Sequence, residues 1–228
     1  MLNMNRENCT PLQKSLEWCE GQPEYPGIRK RIYYIAKADI VTWPKLPVDA
    51  NGKITVGGYV EDFVLAADKY WHHIDVLPDK CEATSDPQGE LPSQTQLNKL
   101  VAVYPGVGEK ATKAASYINN VDNVYVVEDM RGFFRVIGSE RWMTKSTFTQ
   151  DLGKGPTGNA ASTLNAECTD VLALPFYYGK ITEWDEASNT AIDIWSSASD
   201  GSNPTPESFS EGGGASEQSE TSGTGTNP

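Results

Sequence analysis

A mainly β domain, a sandwich or barrel with one short flanking α-helix, is what this chain predicts. Three observations carry that reading. Short apolar runs rich in β-branched and aromatic residues recur through residues 28–195, bounded by Pro, Gly and Asn. One of them, with Leu164, Ala166 and Cys168 set between Thr163, Asn165, Glu167 and Thr169, alternates with period two. One stretch, Glu109 to Asn119, has helical spacing instead: Ala111, Ala114, Ala115 and Ile118 fall at i, i+3, i+4 and i+7. The expected total is roughly eight or nine strands and one helix.

Taken in order, residues 1–27 are broken by Pro11, Pro23, Pro26 and Gly27 and read as an N-terminal arm. Ile28 to Ile40 reads as a strand with two apolar faces, Ile32, Tyr34 and Ala36 on one and Tyr33 and Ile35 on the other. Such a strand is expected to be covered on both sides. Trp43-Pro44-Lys45-Leu46-Pro47 ends it, and Asn51-Gly52 signals a turn. Ile54 to Val60, Phe63 to Ala67 and Trp71 to Leu77 follow as short strands. Pro78 to Gln96 is polar and Pro-broken, and is expected to project as a long loop. Residues 97–138 then form a β-α-β-β nucleus, a small helix covering one sheet. Trp142 to Thr149 is a further strand, Gly153 to Gly158 a loop, and Val171 to Tyr178 a strand interrupted at Pro175. A last run ends near Trp195.

Beyond it, residues 196–228 hold five acids, no Lys or Arg, and Phe209 as the one large apolar side chain. Such a composition buries too little to offset its ordering entropy, so a disordered tail is expected. Taking those five from the chain's 31 acids leaves 26 against 19 bases, so the β-rich part is acidic in its own right. Phosphate binding draws on Lys and Arg, and an acidic surface opposes it. The one basic cluster, Arg29-Lys30-Arg31, reads as a solvated strand entry. The start of the chain lacks the apolar region of a signal peptide, and no run of about 18 apolar residues exists to span a membrane. Cys9, Cys19, Cys81 and Cys168 stand far apart without a C-x-x-C pair and are expected to be reduced, a Cys9–Cys19 bridge being the alternative.

Catalytic chemistry is hard to find. Gly153-Lys154-Gly155-Pro156-Thr157-Gly158 matches a dinucleotide fingerprint literally, but an alternating strand follows where a helix is required. His72 and His73 are the only histidines, and as strand neighbours they point to opposite faces and cannot chelate one ion. Asp62, Asp68, Asp75 and Asp79 could supply a carboxylate pair, yet acids scattered at strand ends are ordinary on such a surface. No catalytic residue, metal ligand or cofactor site is therefore assigned. The aromatic residues, from Trp43 to Tyr178, exceed what one helix and a thin sheet need, so some are expected in the core and others in protein–protein contacts.

The stretches Pro26 to Tyr34, Phe63 to Val76, Val124 to Gly138 and Ser162 to Tyr178 resemble virion structural proteins of tailed bacteriophages, most of all the tail tube, or major tail, protein. The likeness spans roughly residues 25–180. It implies a non-enzymatic β-sandwich that self-assembles into stacked rings, usually of six, inside the virion tail, after synthesis in the bacterial cytoplasm. Its partners are then other copies of itself and further virion proteins. DNA passes through without specific binding, and no membrane, cofactor or small-molecule substrate is involved. On this reading Trp71, Phe133, Phe134 and Trp142 serve packing or subunit contact, and Asp79, Glu82, Asp86 and Glu90 lie on a ring-stacking or lumen-side loop. Two alternatives stand beside it: a capsid decoration or head–tail connector protein, and a small hydrolase using His72 or His73 with a nearby acid.

Overall fold

The apolar runs of the sequence become strands that cross back and forth between two stacked sheets. The computed structural model describes residues 16, 18, 20–21, 23–50 and 52–196. Cys9, Cys19, Asn51, most of the expected arm and the tail from 197 lie outside these residues. In chain order the strands are β1 (Ile28–Ala36), β2 (Ile40–Thr42), β3 (Gly58–Tyr59), β4 (Val64–Leu65), β5 (His72–Asp75), β6 (Glu82–Gln88) and β7 (Thr95–Tyr104). Helix α1 (Glu109–Ile118) follows, then β8 (Asn123–Asp129), β9 (Phe134–Ile137), β10 (Lys145–Asp151), β11 (Ala161–Asp170), β12 (Phe176–Tyr177), β13 (Ile181–Asp185) and β14 (Thr190–Ile194).

A six-stranded sheet runs β3-β12-β9-β8-β1-β5 and a four-stranded sheet runs β10-β11-β7-β6. β13-β14 and β2-β4 are separate two-stranded ribbons. Among the described residues the fold is thus mainly β with one α-helix, and the two large sheets face each other as in a sandwich. The 97–138 nucleus differs from its expectation. β7 belongs to the four-stranded sheet and β8 and β9 to the six-stranded one, so α1 carries the chain between layers.

Between the sheets lies an aliphatic core of Ile32, Leu100, Val127, Ile137, Leu164 and Ala166, joined by Tyr125 and by Ala111 and Ile118 of α1. Burial in β11 alternates along its length, as the period-two pattern requires. β8 is central, and Val124 to Val127 are all fully buried, alternately into this core and into a second one on the far face of the six-stranded sheet. That second core is aromatic: Tyr33, Trp43, Tyr59, Phe63, Trp71, Phe134 and Tyr177. No large sheet covers it; the ribbons and the irregular segment from 37 to 71 do. Gly58 allows β3 to run parallel to β12, because a Cβ there would sit 2.4 Å from the carbonyl oxygen of Phe176.

Candidate functional site

The four-stranded sheet has two unlike lateral edges. At β10 the edge is closed. Asn119, just past the C-terminus of α1, accepts a hydrogen bond from the Phe148 amide at 2.5 Å and donates to the Phe148 carbonyl at 3.2 Å. One side-chain amide thereby takes the place of a neighbouring strand. Asp122 accepts from the Thr144 amide at 2.8 Å just before β10, and Thr112 of α1 donates to Gln150 at 3.2 Å. At the opposite edge, β6 has β7 as its only strand partner among the described residues.

β6 also corrects the expected loop over 78–96. Polar composition and Pro87 suggested a projecting segment, but seven residues pair in register with β7, from Glu82↔Val101 to Gln88↔Thr95. Edge strands tolerate Pro, which has no N–H to offer a further strand. The four candidate acids therefore do not share one loop. Asp79 sits in a short turn of 3₁₀-helix before the strand, Glu82 and Asp86 are on β6 itself, and Glu90 is at the hairpin turn, its carbonyl accepting from the Ser93 amide at 2.8 Å. Asp86 pairs with Lys99 across the strands at 2.8 Å.

The outer face of this sheet is mostly polar. Around a half-exposed apolar stripe of Leu97, Val101 and Val103 on β7 it presents Thr84, Thr147, Thr149, Thr163, Asn165 and Thr169, with acids Glu82, Asp86, Asp151 and Glu167 outnumbering Lys99 and Lys145. At its two ends, hairpins project in opposite directions, because β6-β7 turns at the Thr95 end of β7 and β10-β11 turns beside Tyr104. Each tip carries a leucine with nothing packed over it: Leu91 is 84% exposed and Leu152 80%. The literal G-x-G-x-x-G lies in the second of these turns, where the Gly158 amide donates to the Gly155 carbonyl at 3.3 Å and no helix follows.

The candidate contact aromatics divide. Trp71 and Phe134 are each 1% exposed and belong to the aromatic core, which gives them the packing role of the two expected. Phe133 and Trp142 are half-buried. Phe133 meets Phe176 edge-on at 5.7 Å, and Arg135 lies over Phe176 at 3.5 Å from its centroid. Burial lowers the Arg135 pKa, with Asp129 opposing that shift from 3.3 Å.

Histidine chemistry is similarly constrained. His73 Nδ1 is engaged by the Glu183 carboxylate, while His72 packs on the Tyr34 ring at 5.6 Å. Neither histidine hydrogen-bonds a hydroxyl or thiol among the described residues, so no nucleophile–base pair forms there. Asp62 accepts from the Lys180 amide at 2.9 Å and Asp75 from Arg31 at 3.0 Å. Arg31 thus meets Asp75, and Arg29 lies 3.7 Å from Glu128, which leaves the basic cluster facing carboxylates. Cys81 and Cys168 are free thiols, the latter pushed up to about 11 by burial.

Two buried polar groups escape any sequence signal. Asn98, 0% exposed, donates to the Leu172 carbonyl and accepts from the Leu174 amide, both at 3.0 Å, and so clamps a loop in which Leu174 adopts φ +42°. Asp170, 3% exposed, takes the Val171 amide at 2.6 Å on one oxygen, while the other has no partner; burial raises its pKa to about 6. Only long-range pairing could have revealed either. No protein-family model, curated protein or solved structure matches the chain.

Proposed function

We propose that this chain is a structural subunit of a phage-type tail tube, assembling through unlike surfaces into stacked rings that form a conduit for DNA. The observation that carries the reading is that opposite sides of the four-stranded sheet differ. One lateral edge is capped by α1 and Asn119, while at the other β6 has no strand partner besides β7 among the described residues. Unlike edges favour a heterologous contact, which closes into a ring when the rotation allows, over a two-fold one. The exposed leucines at the two hairpin tips supply a second unlike pair, along the perpendicular direction, for ring upon ring.

The hydroxyls and acids that flank Leu97, Val101 and Val103 on the outer face suit a lumen. Few cations await phosphate there, and the excess of carboxylates keeps a passing polyanion from adhering. Such a subunit acts without cofactor or catalysis, and its partners are its own copies and other virion proteins. Pro87 limits how strands could join at the β6 edge, so side chains rather than a continuous ladder make the lateral contact.

Negative-stain electron microscopy of the concentrated full chain tests this. Rings or tubes with a central hole are expected, and Leu91→Asp or Leu152→Asp should shorten tubes to single rings. Particles that stay monomeric by sedimentation at the highest attainable concentration would overturn the reading and favour a decoration or connector role.

A further inference from the structure

A groove runs around the start of β5, away from the four-stranded sheet's outer face. Its main part, about 560 Å³, is lined by Asp39, Asp68, Lys69, Tyr70, His72 and Trp184. A second recess of about 270 Å³ shares Asp39 and His72 and extends it past Tyr34 and Tyr117. The dimensions are those of ligand clefts in general.

The local chain explains why these side chains converge. Trp71 is locked in the aromatic core, and its amide donates to the Thr182 carbonyl at 2.9 Å. Strand alternation then turns Tyr70 and His72 outward on either side of it. Just upstream, the Lys69 amide closes a turn onto the Ala66 carbonyl at 3.1 Å, and Asp68 takes φ +59°. An aspartate tolerates that conformation at modest cost, and here exposed Asp68 stands on the groove's wall with no hydrogen-bond partner for its carboxylate among the described residues.

The rings are braced before any ligand arrives. Tyr70 rests on Trp184 at 5.1 Å, and Tyr34 stacks on buried Tyr125 at 6.3 Å while touching His72. Rigid, amphipathic rings offer contact area at low entropic cost. Lys69, the one Lys or Arg among the described lining residues, pairs with Asp39 at 3.1 Å, and Asp68 adds a second carboxylate that disfavours an anionic ligand.

We propose that this groove binds a neutral oligosaccharide. Flat ring faces match the C–H faces of pyranose units, and Asp68, His72 and the tyrosine hydroxyls supply donors and acceptors for sugar hydroxyls. Two open recesses joined at Asp39 and His72 accommodate several linked sugars, where a small organic cation would need an enclosing cage. The inference goes beyond the assembly reading and stands whether or not the chain forms rings.

Saturation-transfer NMR on the full chain, with neutral tri- to pentasaccharides of glucose, mannose and N-acetylglucosamine, is the test. At least one series should receive saturation on its ring C–H protons and quench tryptophan fluorescence on titration. Tyr70→Ala and Trp184→Ala should each weaken that binding tenfold or more. Asp68→Asn, which keeps the turn because asparagine also accepts positive φ, should weaken it several-fold with an unchanged circular dichroism spectrum. No transfer to any sugar overturns the proposal. So does equal affinity in folded Asp68→Asn and Tyr70→Ala, or binding of tetramethylammonium with none of the sugars.

Discussion

The two faces of the six-stranded sheet solve the same problem with different side chains. Toward the four-stranded sheet the core is aliphatic, with Ile32, Val127, Leu100 and Leu164 interdigitating between regular strands. On the opposite face short ribbons and irregular chain provide the cover, and the core is built from rings centred on Phe63. Phe63 lies 4.9 Å from Trp43, 5.5 Å from Trp71 and 5.1 Å from Tyr177. A regular layer can close a core with many medium-sized residues. An irregular one has few inward positions, so each must bury more area, and aromatic side chains bury the most. Six of the aromatic residues between Trp43 and Tyr178 are therefore taken up by a second core.

The comparison can be broken first at its largest rings. Trp71→Ala removes a wholly buried side chain that irregular cover cannot collapse around, and should cost about 4 kcal/mol in chemical denaturation. Leu164→Ala, equally buried between two regular sheets, should cost about 3 kcal/mol. A smaller loss for Trp71→Ala than for Leu164→Ala would show that the aromatic face is the looser one.

Asp170 offers a sharper probe near the inner end of β11. Burial raises its pKa from 3.8 to about 6, so the folded chain holds this proton more tightly than the unfolded chain does. Its stabilising contribution is complete below about pH 4, declines as pH rises, and is lost above about pH 6. The size of that loss is roughly 2–3 kcal/mol. Asp170→Asn, neutral throughout, should flatten stability between pH 4 and 6 and raise the melting temperature at pH 7. A melting profile unchanged by the substitution would place the titration elsewhere.

The smallest effect is expected at the closed edge. Asn119→Ala leaves the Phe148 amide and carbonyl without their side-chain partner, at a cost of about 1.5 kcal/mol. Hydrogen exchange at Phe148 should accelerate in this variant while Leu164 on the neighbouring strand stays protected.

Much of the regular layer was legible in the sequence. The alternation of Leu164, Ala166 and Cys168 and the spacing of Ala111, Ala114, Ala115 and Ile118 both correspond to buried faces. Those patterns are local, set by side chains two to four positions apart. β6 was not legible, because Thr84, Ser85 and Asp86 have no apolar face to announce a strand; pairing with β7 makes it one. The division of residues 97–138 between sheets was hidden for a related reason. An apolar run specifies a strand but not its neighbours. Asn98 and Asp170 could not be singled out either, since Asn98 acts on a loop 74 residues away and burial of Asp170 is a property of the packed end. Of the candidate residues, the exposed acids lay where charge predicts, on the surface, while Trp71 and Phe134 took the packing role of the two offered.

The chain passes between the two large sheets four times, at β5 to β6, β7 to β8, β9 to β10 and β11 to β12. Mechanically, this stitches the layers together. Neither sheet can be peeled away as a unit, because every pair of strands in one is tethered in sequence to a pair in the other. Separating the layers therefore means shearing the aliphatic core between them across four chain crossings.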